Sequence, residues 1–182
     1  MVKFMALSLF ATVLLLTIGV ESFPLMNLYG YVHKDFNTHL YTYNASIIGY
    51  AVRGRTGLRN YMSEGIICLL DSDNSGKPFH HYENKENWLE NLYTTNTSEV
   101  IGKNYEHKGI VGYCYPSQEP HTVPLYRYKK KIEMSAGLND ITDHYYTTDP
   151  NKIGLVTPGT TGNNGYTYEG VACFVYNVKY HT

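Results

Sequence analysis

The residues of this chain with the chemistry to bind or react are eight histidines, a pair of strand-opening glutamates, three cysteines and nineteen tyrosines. His39 and His144 each stand just ahead of a Tyr-Thr segment. Related local structures would therefore present both imidazoles alike, either bonded to a backbone carbonyl or paired across an axis on a metal. The other histidines, His33, His80, His81, His107, His121 and His181, show no ligand spacing. With no His-Glu-x-x-His and no Cys-x-x-Cys either, no metal is expected. Glu64 and Glu169 each precede a glycine that leads into an apolar strand, and a carboxylate pair at the right separation can hydrolyse a glycosidic bond. Lys108 holds the corresponding place between them, which favours a structural ion pair, with Arg127 the expected partner of Glu169. There is no Gly-x-Ser-x-Gly elbow, phosphate-binding glycine loop or Cys-His signature. The chain therefore reads as a non-enzyme without a cofactor.

Cys68 and Cys173 follow matching Glu-Gly segments, while Cys114 is displaced by two residues and so keeps the same strand face. Three cysteines cannot all pair within one chain. The alternatives are a Cys68–Cys173 disulfide beside a buried thiol, or three small apolar thiols in the core; an intermolecular bridge is a further route for the odd one. Tyrosines alternate along the aromatic segments, so inward rings build core and outward rings offer stacking faces for sugars. On that reading Tyr126 and Tyr146 are ligand candidates, with His39, Asn91, Arg127, His144 and Glu169 supplying hydrogen bonds.

Positioning these residues requires elements that recur. An aromatic opener appears as Asn27-Leu28-Tyr29-Gly30-Tyr31, Pro78-Phe79-His80-His81-Tyr82 and Pro124-Leu125-Tyr126-Arg127-Tyr128. A Tyr-Thr segment follows at Tyr41, Tyr93 and Tyr146, and a Gly-containing apolar segment at Gly65, Gly109 and Gly170. The Tyr-Thr segments lie 52 and 53 residues apart but the glycines 44 and 61, the pattern of constant units joined by variable loops. The segments are rich in Tyr, Thr, Val and Ile and bounded by turn residues, which predicts three short strands per unit and one short helical turn. The expected fold is mainly β: three tandem repeats, approximately 23–75, 76–121 and 122–182, with pseudo-threefold, trefoil-like character in a single domain over 23–182.

Ahead of that domain, Met-Val-Lys and an uncharged run from Phe4 to Val20 read as a signal peptide over 1–22. No other stretch is apolar enough to cross a bilayer as a helix. Two glycosylation triplets, at Asn44 and Asn96, fall directly after the first two Tyr-Thr segments, where the third has Asp149. A secreted, extracellular protein is expected.

The third copy, with Pro124-Leu125-Tyr126-Arg127, Asp143-His144-Tyr145-Tyr146-Thr147-Thr148 and Gly165-Tyr166-Thr167-Tyr168-Glu169-Gly170, resembles a repeat domain of unknown function from secreted proteins of bacteria, fungi and invertebrates. That family's repeat reads Pro-Leu-Tyr-Arg, Asp-His-Phe-Tyr-Thr-Thr, then Gly-Trp or Gly-Tyr leading to Glu-Gly. The first two copies depart from it: Gly30 and His81 replace the Arg, Asn91 the His and Lys108 the Glu. The resemblance implies the fold and an extracellular accessory role, and confers no activity.

With 15 Lys+Arg against 16 Asp+Glu, the formal charge of −1 provides no field to attract nucleic acid or an anionic membrane. The expected function is a secreted, non-enzymatic, lectin-like module recognising carbohydrate or an extracellular surface through repeat-related sites, which would gain from multivalency. The alternatives are a structural component of a matrix such as egg coat, mucus or shell, and a glycoside-processing enzyme using Glu64 or Glu169.

Overall fold

The structure, a computed structural model, describes residues 24–134, 139–154 and 156–180; the expected leader, 1–22, lies outside the described residues. Nine strands carry the chain: β1 Leu25–His33, β2 His39–Thr42, β3 Tyr61–Asp71, β4 Lys77–Asn84, β5 Asn91–Thr94, β6 Tyr105–Cys114, β7 Thr122–Ile132, β8 Ile141–Thr147 and β9 Thr167–Tyr176. Among the described residues there is no α-helix, and none of the helices is long and apolar enough to cross a membrane.

All strands join one antiparallel sheet, and the openers organise it. β1 pairs with β2 and β3, β4 with β5 and β6, and β7 with β8 and β9. The three sets meet through their third strands, where Asp71 lies opposite Tyr113 and Leu69 opposite Tyr176. Aromatic and β-branched residues suit a half-buried pleated surface, and their alternation fills a core of Leu28, Leu70, Phe79, Leu125, Val175 and the central tyrosines.

Those central rings are Tyr41, Tyr93 and Tyr146, one from each short middle strand, packed edge to face with centroids 5.2–5.6 Å apart. Each hydroxyl serves the backbone of the next tyrosine. Tyr93 Oη donates to the Tyr41 carbonyl (2.7 Å) and accepts from the Tyr41 N–H (2.9 Å). Tyr146 Oη does the same for Tyr93 (2.6 and 2.9 Å), and Tyr41 Oη closes the ring on Tyr146 (3.3 and 2.8 Å). The hydroxyls so satisfy backbone groups of middle strands that pair on one side only.

The turn after each middle strand follows from two side chains. Thr42, Thr94 and Thr147 accept through Oγ1 from the N–H two residues on. Asn44, Asn96 and Asp149 in turn accept from Ser46, Ser98 and Asn151 N–H at 3.0–3.2 Å, capping 3-10 turns. Short polar side chains favour this geometry because they supply the acceptor that orphan N–H groups need. Asn44→Ala is expected to cost about 1 kcal/mol, read as a lowered urea midpoint, whereas Asn44→Asp keeps the cap.

The cysteine pairing corrects the expectation from sequence. Cys114 of β6 is bonded to Cys173 of β9 with Cα atoms 6.0 Å apart, and Cys68 is a buried thiol. The reason is which strands abut. Tyr115 and Phe174 exchange backbone hydrogen bonds at 3.0 and 2.8 Å, setting the neighbouring cysteines side by side, whereas Cys68 lies opposite Leu28 of β1. The two-residue displacement of Cys114 is thus what brings it to the bond. Burial pushes the Cys68 thiol pKa up, so that sulfur is a small apolar side chain.

Candidate functional site

Polar side chains gather in clefts, and a bulge in each third strand helps put them there. Gly30 lies opposite Gly65 while Tyr31 lies opposite Ser63, which leaves Glu64 as an extra residue. Lys108 is skipped likewise between Gly109 and His107, and Glu169 between Gly170 and Tyr168. A bulged residue is released from the ladder, and its side chain is re-aimed. The following glycines take φ of 83°, 133° and 137°, values that a side chain at Cβ would strain. The Glu-Gly and Lys-Gly words are therefore bulge positions; Glu64 reaches toward His39 of β2 and Glu169 toward His144 of β8, while Lys108 pairs with Glu83 and Glu106.

The first cleft, about 540 Å³, has His39 and Glu64 among its lining residues, with Tyr145, Tyr166, Lys130 and Lys152. His39 is buried between carboxylates. Its Nδ1 lies 2.7 Å from Asp143 Oδ2, its backbone N–H donates to Asp143 Oδ1 at 2.7 Å, and its Nε2 is 3.9 Å from Glu64 Oε2. Tyr166 Oη donates to the same Asp143 Oδ2 at 2.5 Å. Burial works against a charged imidazole, but Asp143 and Glu64 outweigh it and hold the His39 pKa above the ordinary histidine value. Burial likewise works against the Asp143 carboxylate; His39 and the donated hydrogen bonds prevail and hold its pKa down. Lys152 sits over the Tyr145 ring at 5.9 Å and Lys130 over Tyr166 at 5.7 Å, so the wall is aromatic with cations above it.

The second cleft, about 760 Å³, includes His144, Glu169, Glu90, Tyr105 and Lys129 in its lining. Arg127 bridges Glu99 (Nη1 to Oε2, 2.8 Å) and Glu169 (Nε to Oε2, 2.9 Å), and Lys129 Nζ is 3.0 Å from Glu169 Oε1. The ion pair expected between Arg127 and Glu169 is therefore present. His144 Nε2 stands 3.8 Å from Glu169. Its titration nonetheless runs opposite to that of His39: burial pulls its pKa down, and Arg127 adds to this against the pull of Glu169. His39 gains the Asp143 carboxylate at its Nδ1, whereas His144 Nδ1 has no hydrogen-bond partner among the described residues. The residue opposite the bulge glycine differs as well. It is Arg127 in this set and Gly30 in the first, where Ile67 fills the space that a Gly30 side chain would need.

Between the first and second sets, a cleft of about 480 Å³ is lined by His81, Lys108, Glu83, Tyr43 and Ile110 among others. His81 stacks on Tyr93 with centroids 4.5 Å apart and bonds Asn91 Oδ1 at 2.8 Å; burial lowers its pKa to about 4. Asn91 is buried and also donates to the Trp88 carbonyl, so it braces His81.

Of the residues singled out from sequence, His39, His144, Glu169 and Arg127 thus cluster at clefts, but His39 and His144 line different ones. Tyr126 is half-buried, packed on Tyr168 with centroids 6.1 Å apart. Tyr146 is a correction: it is 1% exposed with its hydroxyl spent on Tyr93, so it is core and offers no stacking face. Sequence reasoning passed over Asp143, Glu90 and Tyr166. Their signal was positional, since Asp143 and Glu90 stand immediately before His144 and Asn91. Glu90 Oε2 accepts from the Thr142 N–H at 2.9 Å and its Oε1 from the Tyr105 hydroxyl, much as Asp143 serves His39 and Tyr166. Among the described residues, no group of three or more His, Cys, Asp or Glu side chains is arranged to hold a metal ion.

These features define a tyrosine-rich, mainly β domain with one nine-stranded antiparallel sheet, a disulfide compatible with an extracellular protein, and polar clefts between its strand sets. Residues 27–176 match the model of a domain of unknown function, DUF5648, and the chain belongs to that family. Comparison with curated proteins and with solved structures returns no match.

Proposed function

We propose that this protein is a secreted, non-enzymatic binding module that recognises carbohydrate in the clefts between three tandem, trefoil-like repeat units. The observation that carries the reading is the recurrence of one arrangement. A bulged, charged side chain lines a solvent-open cleft beside aromatic rings in each strand set: Glu64 near His39, Glu169 near His144, and Lys108 in the cleft that His81 and Tyr43 also line. Sugars bind such surfaces, stacking on rings while fixed donors and acceptors meet the hydroxyls. Buried polar atoms with unspent capacity add support: Glu64 Oε2 and His144 Nδ1 have no hydrogen-bond partner among the described residues. The closed tyrosine ring, one member per unit, supports the pseudo-threefold reading. In the glycosidase alternative Glu169 would act as general acid, a role poorly served by a carboxylate paired with Arg127 and Lys129. A matrix protein cross-linked through tyrosine would lose Tyr31, Tyr41, Tyr61, Tyr93, Tyr128 and Tyr146 to the interior.

Secretion would bring glycans to Asn44 and Asn96, both exposed, whose turns engage Oδ1 and leave the amide nitrogen for attachment. The test of the function is a glycan array followed by calorimetry on the best ligand. Lys130→Ala and Lys152→Ala, at the rim of the first cleft, are expected to weaken binding several-fold without loss of stability. Silence across the array by folded, disulfide-bonded protein would sink the idea.

A further inference from the structure

On the outer sheet face two histidines meet that belong to none of these clefts. His80 Nδ1 of β4 lies 3.0 Å from His107 Nε2 of β6, with ring centroids 5.1 Å apart. Both rings pack against Tyr82, at 6.1 and 5.0 Å. The register explains the encounter, since Tyr82 lies opposite His107 and His80 is two residues away on the same strand. The β7–β9 pair places tyrosines at the matching positions: Tyr128 lies opposite Tyr168, and Tyr126 stands two residues before Tyr128. There the rings form an aromatic cluster with no coordinating nitrogen. In the second set, imidazoles replace both outer tyrosines while the central one is kept.

We propose that His80 and His107 form a two-imidazole site for a divalent transition-metal ion of the Cu²⁺, Ni²⁺ or Zn²⁺ class. Imidazole nitrogens bind such ions at about 2.0–2.1 Å, so two cis ligands stand about 2.9 Å apart at a right angle and about 3.4 Å apart in a tetrahedron. The observed 3.0 Å falls within that span. One ring now donates a proton to the other; a tautomer shift in the donor frees both lone pairs, with no net proton released from a neutral pair. His107 is exposed, so the remaining coordination positions open to water or to an oxygen ligand of a partner.

The experiment is calorimetric titration of the full chain with Cu²⁺, and separately with Zn²⁺, at neutral pH. His80→Tyr and His107→Tyr install the residues that β7 and β9 carry. Each is expected to weaken the tightest site by roughly tenfold or more, because one of two coordinate bonds is lost. His121→Ala, in an exposed turn, is expected to leave it unchanged. Unaltered affinity in both tyrosine variants overturns the proposal. If either variant fails to fold, the Cu²⁺ spectrum of the unmodified protein decides: hyperfine coupling to two imidazole nitrogens supports the site, and coupling to one or none overturns it.

Discussion

Asp143→Ala is expected to lower folding stability by about 3–5 kcal/mol, the cost of removing one partner from a buried ion pair. The carboxylate is 1% exposed and receives the His39 ring, the His39 backbone N–H and the Tyr166 hydroxyl, so its loss leaves three donors without an acceptor. It also ties β8 to β2 across more than a hundred residues, so the loss falls on tertiary assembly and not on one local turn. The effect carries a pH signature. The raised His39 pKa means that its contribution is complete below the ordinary value of 6.5 and fades as pH climbs through the folded value. The lowered Asp143 pKa means that its contribution is complete above the ordinary 3.8 and fades as pH falls through the folded value. The gap between native protein and variant should therefore be widest between about pH 4 and 6.5 and should narrow on either side. Glu64, Lys152 and the Tyr41, Tyr145 and Tyr166 rings also face His39 and are kept in the variant, so the difference reports the contacts that Asp143 makes, the Tyr166 hydroxyl among them. The lowered pKa values of His33 and His81 cancel in that difference, whereas His144 also feels the Asp143 charge; all three make total stability fall on acidification. Urea midpoints across pH would test this; a gap below about 1 kcal/mol, or one indifferent to pH, would remove the ion pair from its assigned role.

The strand segments were legible because their signals are local. The Pro-bounded openers, the Tyr-Thr words and the Gly-centred strands lie within β4 and β7, within β2, β5 and β8, and within β3, β6 and β9. Glu64, Lys108 and Glu169 share a place before a strand glycine, from which the Arg127–Glu169 pair could be foreseen; the structure makes that place a bulge in each third strand. What stayed hidden depends on which strand sets abut. Matching positions suggested Cys68 with Cys173, but the bond follows the contact of β6 with β9. Alternation alone cannot say which side of a middle strand faces the centre, so Tyr146 looked available when it is core. His80 and His107 are 27 residues apart and become neighbours only through the β4–β6 register.

The tyrosine ring makes a second demand on the fold. Tyr93→Phe is expected to cost about 2–4 kcal/mol, because deleting one hydroxyl leaves both the N–H and the carbonyl of Tyr41 buried and unsatisfied. Tyr41→Phe and Tyr146→Phe should cost similar amounts, since each hydroxyl serves one neighbour in the same way. Tyr43→Phe, at an exposed ring, should stay within about 0.5 kcal/mol. The three hydroxyls bond backbones and not one another, so hydrogen bonding alone predicts additivity. The middle strands that they join, however, share a single packed centre. Slackening one junction loosens the other two, and double variants should depart from additivity by more than about 0.5 kcal/mol. Burial raises the Tyr41, Tyr93 and Tyr146 pKa values, so the folded state keeps protons that the unfolded chain releases, and stability should fall steeply once pH passes about 10. Replacing the hydroxyls should flatten that alkaline limb even as it lowers stability at neutral pH. A Tyr93→Phe protein within about 1 kcal/mol of the native one, with its alkaline limb intact, would mean that the rings contribute by packing alone.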